Sequence, residues 1–224
     1  MNRSYFYIFL GLLIITGCYS KNTPPDLFET QKKVSEYIEK DYNRDFSIVV
    51  DDAKNWLNTR TSNTAEKLAI VLDIDETSLS NWRAYKLNNF ARIVNGPCDL
   101  EKGPCGIRSW QAMGISPALD PTVELVKLAK SKGISVFFIS ARPPDLQEAT
   151  ENNLRTDGYQ WDKVIIQKDK TKYESAVDFK MPERKKLTEE GYTIILCMGD
   201  QQSDLSGGYC EKTFKLPNPV YFLP

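Results

Sequence analysis

The chain has 224 residues and a formal net charge of −1 at neutral pH. This length suits one globular domain with its own core and room for a small insertion. The balanced charge gives no indication of a nucleic-acid polymer or an anionic membrane surface as a partner. The sequence contains no histidine, which excludes mechanisms that need an imidazole base, nucleophile or metal ligand.

The first residues have the pattern of an export signal. An apolar run over residues 5–15 follows the positive charge of Arg3 and is too short to span a bilayer as a helix. It ends in Ile-Thr-Gly followed by Cys18, which resembles a bacterial lipoprotein signal, in which the cysteine is acylated and becomes the new N-terminus. A plain secretory signal or an uncleaved anchor is the alternative.

The lipoprotein interpretation divides the start of the chain into two parts. It predicts a signal peptide over residues 1–17 and a short polar tether over residues 18–25. The protein would then be held in the bacterial cell envelope by lipid on Cys18. Because tyrosine rather than aspartate follows Cys18, no inner-membrane retention signal is present, and the outer membrane facing the periplasm is favoured.

Four cysteines follow this segment, and export would place them in an oxidising compartment. Cys98, Cys105, Cys197 and Cys210 allow three complete pairings. Gly-Pro-Cys occurs twice in NGPCDLEKGPCG, and these turn residues favour a bridge between Cys98 and Cys105. A metal knuckle is disfavoured, because there is no Cys-x-x-Cys spacing. For Cys197, a bridge to Cys210 and an unpaired buried strand position are equal alternatives.

Helix and strand patterns alternate along residues 26–224, which we take as one domain. Apolar residues at helical spacing predict packing helices over 26–42 and 47–60. Buried strands are predicted at 68–73, 134–140, 163–167 and 192–198, and helices between them at 121–132, 143–157 and 181–190. This alternation predicts an α/β fold with a doubly wound parallel sheet, N-terminal helices and a small cap insertion over about 78–117.

Polar residues collect where these strands end, and ligands bind beyond the carboxyl ends of strands in such sheets. Several acids, a hydroxyl and a lysine would therefore meet at one edge: Asp73 and Asp75 after the first strand, Ser140 after the second, Lys180 before the fourth, and Asp200 and Asp204 after the fourth.

The crowded acids call for a cation or for chemistry, because like charges at one strand end repel each other. Mg²⁺ binds oxygen ligands and would hold Asp73 and Asp200 ionised together. Asp73 would attack a phosphorus atom, and Asp75 would move protons to and from the reacting oxygens. Ser140 and Lys180 would bind phosphate oxygens.

Each residue also has a simpler interpretation. Asp75 and Thr77 are suitable helix caps, a serine after a strand is common, and a lysine on a helix is usually solvated. A calcium-binding loop is excluded, because the glycine and distal glutamate of that motif are missing.

The motifs at the strand ends resemble those of the haloacid dehalogenase-like phosphatases. LDIDET resembles their first motif, FFIS the second, Lys180 the lysine of the third, and GDQQSD the fourth. DIDETSLSN, FKMPERKKLTEEGY and FKLPNPVYF resemble one branch, the secreted acid phosphatases that include plant vegetative storage proteins and bacterial class B and class C acid phosphatases. The resemblance covers about residues 30–224.

This resemblance implies a role for each matching residue. Asp73 would be the nucleophile and Asp75 the acid and base, with Ser140 and Lys180 as phosphate ligands. Asp73, Asp200 and the Asp75 carbonyl would bind Mg²⁺, and Asp204 would assist from the outer shell of the metal site. Because Lys185 and Lys186 lie near Lys180, the third motif is the least specific of the four matches.

The expected function is that of a Mg²⁺-dependent acid phosphatase acting on phosphomonoesters, including nucleoside monophosphates. A non-catalytic ligand-binding lipoprotein on the same fold, or a phosphotransferase, is the alternative. In the cap, Trp82, Tyr85, Phe90 and Trp110 either stack on aromatic parts of a substrate or form the cap's own core.

Overall fold

The computed structural model describes residues 26–61, 65–168 and 175–223. The predicted signal peptide, the tether and Cys18 lie outside these described residues. None of the helices in the described part of the chain is long and apolar enough to cross a membrane.

The described strands form one parallel sheet in the order β3-β2-β1-β4-β5. Their bounds are β1 Lys67–Leu72, β2 Ser135–Ser140, β3 Lys163–Ile166, β4 Tyr192–Gly199 and β5 Lys212–Lys215. The chain runs outward from β1 to β3 and then returns to the other side of β1 with β4. Strand order therefore reverses between β1 and β4, where a doubly wound sheet opens a ligand-binding crevice.

The helices are α1 Leu27–Lys40, α2 Tyr42–Arg60, α3 Trp82–Leu87, α4 Ile107–Ala112, α5 Asp120–Ser131, α6 Gln147–Thr156, α7 Ala176–Glu189 and α8 Gln202–Leu205. Successive residues of β1 face opposite sides of the sheet. Ile70 and Leu72 pack in the core on the α2 and α5 side. Ala69 and Val71 pack on the other side, with Phe179 of α7. Burial on both faces explains why the strands have continuous apolar sequences.

The sequence prediction missed β5. This strand has only four residues, and Phe214 alone among them is buried. A short edge strand with one buried side chain lacks the continuous apolar run that marks the central strands.

Two helices begin earlier than predicted. Helix α2 begins at Tyr42 rather than residue 47, because Tyr42 and Phe46 are both buried in the core. Helix α7 begins at Ala176 rather than residue 181, after a capping box formed by Ser175 and Asp178. It continues through Pro182, although this proline removes one backbone hydrogen bond. Lys180 consequently lies within α7 and not before it.

The predicted cap insertion contains α3 and α4 around a small cluster of buried residues, Ala84, Tyr85, Cys105, Ile107 and Trp110. The expected disulfide between Cys98 and Cys105 is present. A second disulfide joins Cys197 of β4 to Cys210 before β5. Of the two alternatives for Cys197, the structure therefore selects the bridge.

Candidate active site

The site begins at the end of β1, where the chain leaves the sheet in a tight turn. The Asp73 amide donates to the Met198 carbonyl at 3.0 Å, so this residue is still held against β4. The Ile74 carbonyl then accepts the amides of Ser78 and Leu79 at 2.9 and 2.8 Å. This turn leaves the Asp73 and Asp75 side chains lining the same pocket.

Lys180 brings α7 into the site. Its Nζ donates to Asp73 Oδ1 at 2.5 Å and to Asp204 Oδ1 at 2.6 Å. Burial favours the neutral amine, but the two carboxylates outweigh burial and raise the pKa of Lys180. The side chain is therefore a buried cation that links the end of β1 to α8, the short helix after β4.

Three buried carboxylates meet beside this lysine. Asp73, Asp200 and Asp204 each place one oxygen within 4.8 Å of the others. Burial and the neighbouring Asp204 carboxylate raise the pKa of Asp73 well above its usual value, although Lys180 opposes this. Burial and the negative charge of Asp204 likewise raise the pKa of Asp200, to about 7.

This cluster is suited to a hard cation. One lysine cannot neutralise three carboxylates, and the remaining repulsion contributes to the raised pKa values of Asp73 and Asp200. A donor set made only of oxygen atoms is the set that Mg²⁺ and Ca²⁺ prefer. The residues therefore fit the divalent ion that the sequence motifs imply.

Asp75 has a different environment, and its carboxylate lies outside the three-oxygen cluster. Arg142 donates to it from Nη2 at 2.8 Å and from Nε at 3.1 Å. Asn81 Nδ2 and Gln111 Nε2 donate to it at 2.7 and 3.0 Å. Burial raises the pKa of Asp75, but the Arg142 charge and these hydrogen bonds outweigh burial and leave it below its usual value. Without a bound phosphate, the pocket thus favours the carboxylate form of Asp75.

Ser140 ends β2 and lines the same pocket, where its hydroxyl accepts the Arg142 amide at 3.2 Å. The structure brings all the residues predicted from the strand ends into this one pocket: Asp73, Asp75, Ser140, Lys180, Asp200 and Asp204.

Sequence reasoning did not assign roles to several polar residues of this pocket. Arg142 follows Ser140 by two residues, and this position at a strand end was the available signal. Gln111 comes from α4 of the cap and carries no recognisable motif. Asn81 lies within the DIDETSLSN motif, and the structure shows what it contacts. Its side chain donates to Asp75 and to Glu76 and accepts from Trp110 Nε1 at 2.9 Å.

The cap aromatics divide between the two predicted alternatives. Trp110 is 1% exposed and belongs to the cap's own core. Trp82 and Phe90 pack against each other with ring centroids 5.2 Å apart. Tyr85 is buried in the same cap cluster but also lines the pocket. Among these four aromatic residues, Tyr85 is therefore the one that lines the pocket, and the stacking alternative is restricted to it.

Comparison with known proteins identifies the family. Residues 21–224 match the family described as HAD superfamily, subfamily IIIB (Acid phosphatase). The chain belongs to this family. This HAD acid phosphatase is a phosphomonoester hydrolase, which confirms the function class expected from the motifs.

Among its relatives is the stem 28 kDa glycoprotein of Glycine max, 34% identical over 200 residues that cover 87% of this chain and 75% of the relative. Acid phosphatase 1 of Solanum lycopersicum is 28% identical over 193 residues, covering 85% and 73% of the two chains.

Among solved structures, the class C acid phosphatase from Bacillus anthracis matches with a TM-score of 0.69 at 23% identity, over 88% of this chain and 86% of that one. This match confirms the predicted doubly wound α/β fold of the HAD acid phosphatase.

Proposed function

We propose that this acid phosphatase is Mg²⁺-dependent and hydrolyses phosphomonoesters through an aspartyl-phosphate on Asp73. The observation that carries the proposal is the arrangement around Asp73. Its carboxylate lies 2.5 Å from the Lys180 ammonium and shares one pocket with Asp75, Ser140 and Asp200. Residues suited to act as nucleophile, proton-transfer group and phosphate-binding cation thus lie within one small space.

The metal would be held by Asp73, Asp200 and the Asp75 carbonyl, with Asp204 assisting through its contact with Lys180. When bound, Mg²⁺ supplies positive charge that offsets both the carboxylates and the incoming phosphate. The oxygen cluster of Asp73, Asp200 and Asp204 supports this assignment.

In the first half of the reaction, an Asp73 oxygen attacks phosphorus and the bond to the leaving oxygen breaks. Asp75 in its acid form gives its proton to that oxygen. In the second half, Asp75 takes a proton from water as the water oxygen attacks phosphorus. The bond to Asp73 breaks, phosphate leaves, and both carboxyl groups return to their starting state.

Lys180 and Ser140 would hold the non-reacting phosphate oxygens during both halves. Arg142 favours the carboxylate form of Asp75, which suits the second half. Because Arg142 also lines the pocket, an incoming phosphate would share its guanidinium with Asp75 and weaken that preference.

The pocket walls support the substrate class that we propose. The cap side of the pocket presents Tyr85 and the apolar side chains of Val94 and Ile107. These surfaces suit a flat or apolar leaving group, and nucleoside monophosphates are among the substrates that we propose. The protein would act on small phosphomonoesters rather than on a nucleic-acid polymer.

Removal of the metal should abolish activity. We expect the purified protein to release p-nitrophenol from p-nitrophenyl phosphate, to lose this activity in EDTA and to regain it when excess Mg²⁺ is added. Full activity after exhaustive dialysis against EDTA would contradict the metal-dependent mechanism.

We also propose that the protein is exported and anchored by lipid on Cys18. Two disulfides in the described domain support an oxidising compartment. Mass spectrometry of the native N-terminal peptide should find an acylated Cys18. A mature N-terminus at another residue, with no lipid, would contradict this proposal.

A further inference from the structure

The segment over residues 216–223 runs along the edge of the active site and contacts it at several points. The Leu216 amide donates to the Gly199 carbonyl at 2.9 Å, which extends the pairing of β5 with β4. Further along, the Tyr221 hydroxyl donates to Glu76 Oε2 at 2.9 Å. The segment therefore joins the turn after β1 to the end of β4.

The contact that matters most is between this segment and Asp200. Asn218 Nδ2 donates to Asp200 Oδ2 at 2.6 Å. Gln201 Nε2 donates to the same oxygen at 2.6 Å. The other oxygen, Oδ1, has a longer contact of 3.3 Å with the Thr77 hydroxyl. The two amides occupy Oδ2 and leave Oδ1 with lone pairs available.

The two amides are themselves held in place by the segment. Asn218 Oδ1 accepts the Val220 amide at 2.8 Å. This contact leaves the Nδ2 end of the side chain facing Asp200. Gln201 Oε1 accepts the Leu223 amide at 2.9 Å. Since each side-chain oxygen is already engaged, each NH₂ group must point at the carboxylate.

We propose that Asn218 is a positioning residue for Asp200 and that segment 216–223 thereby sets the metal affinity of the site. The inference rests on the proposed function in one respect, namely that Asp200 is a metal ligand. A hydrogen bond to one oxygen fixes the rotation of the carboxylate and directs the other oxygen to the metal. Removal of a residue that orients a metal ligand in this way commonly lowers metal affinity by about 10- to 100-fold.

The segment also connects the metal site to the cap. The rings of Tyr221 and Tyr85 lie 5.2 Å apart, and Val220 packs on the cap cluster. The position of Asn218 is therefore supported from the cap side of the pocket.

The test measures Mg²⁺ binding to chelator-treated protein without substrate, by isothermal titration calorimetry. Asn218→Ala should weaken Mg²⁺ binding by about 10- to 100-fold. Asn218→Ser should do the same, because serine retains an acceptor for the local turn but is too short to reach Asp200. At saturating Mg²⁺ both variants should recover most of the wild-type kcat, while the Mg²⁺ concentration for half-activation rises.

Two variants distinguish a specific role of Asn218 in orienting Asp200 from a general role in keeping segment 216–223 docked against the domain. Phe222 is 74% exposed, so Phe222→Ala is a matched change in the same segment and should bind Mg²⁺ like the wild type. Tyr221→Phe removes the contact with Glu76 while keeping the ring, and it should have a smaller effect than Asn218→Ala. If Tyr221→Phe weakened Mg²⁺ binding as much as Asn218→Ala, the effect would come from undocking and the inference would be wrong.

Asp200→Asn distinguishes failure of this inference from failure of the proposed function. If Asp200→Asn loses Mg²⁺ binding while both Asn218 variants bind like the wild type, the positioning role is wrong and the metal site stands. If Asp200→Asn itself binds Mg²⁺ normally, Asp200 is not a ligand, and both the proposed metal site and the inference are overturned.

Discussion

Asp73→Asn should abolish phosphatase turnover while leaving the protein folded. The substitution keeps the shape of the side chain but replaces the attacking carboxylate oxygen by an amide, so the aspartyl-phosphate cannot form. Loss of a catalytic nucleophile can lower kcat by about 10⁶-fold. The measurement is steady-state kinetics on p-nitrophenyl phosphate at saturating Mg²⁺, with circular dichroism to verify the fold.

The structure explains why this variant should still fold. Asp73 is buried, and its loss removes one ion pair of Lys180, but the ammonium keeps its second partner, Asp204, at 2.6 Å. The change also removes one of three mutually repelling carboxylates. Asp51→Asn is a suitable control, because Asp51 is an exposed aspartate of α2 paired with Lys54 at the surface. A near-normal rate for Asp73→Asn would refute the aspartyl-phosphate mechanism.

Asp75→Asn should slow the reaction by an amount that depends on the leaving group. General acid–base catalysis contributes about 10²- to 10⁴-fold, and we expect a loss in this range with an alkyl phosphate. The loss should be smaller with p-nitrophenyl phosphate, because p-nitrophenolate leaves without protonation. The second half of the reaction still needs a base, so a deficit should remain with both substrates.

Comparison of the two substrates serves as the internal control for this variant. Asparagine retains an oxygen that accepts from Arg142, so the guanidinium should stay in place. If the alkyl and p-nitrophenyl esters lost activity by the same factor, Asp75 would not protonate the leaving oxygen. Its contacts with Arg142, Asn81 and Gln111 would then make it an organiser of the pocket instead.

Local patterns in the sequence were enough to predict the central sheet and the main site. Four strands buried on both faces have continuous apolar sequences, and each is followed by a break that marks its end. Parallel strands bring their carboxyl ends to one edge, so Asp73, Ser140 and Asp200 had to meet once the strands were placed. Asp75 follows Asp73 by only two residues, and it lines the same pocket.

Other features depended on neighbours that no local pattern identifies. The choice among Lys180, Lys185 and Lys186 rests on which face of α7 packs against the rest of the domain. The buried face of α7 includes Lys180 together with Phe179, Arg184 and Leu187, while Lys185 and Lys186 are exposed. The short sequence of β5 became a strand only because β4 offered an edge to pair with.

The sequence by itself determined the fold class, the acids at the strand ends and the family, because these depend on apolar periodicity and on motifs that are contiguous in the chain. Only the tertiary structure decided which partner each acid has. Arg142 meets Asp75 across 67 residues and Asn218 meets Asp200 across 18 residues. Such pairs form where packing brings two segments together, and the free energy of a hydrogen bond depends on distance and orientation within a buried pocket. Neither quantity is encoded in the spacing of residues along the chain.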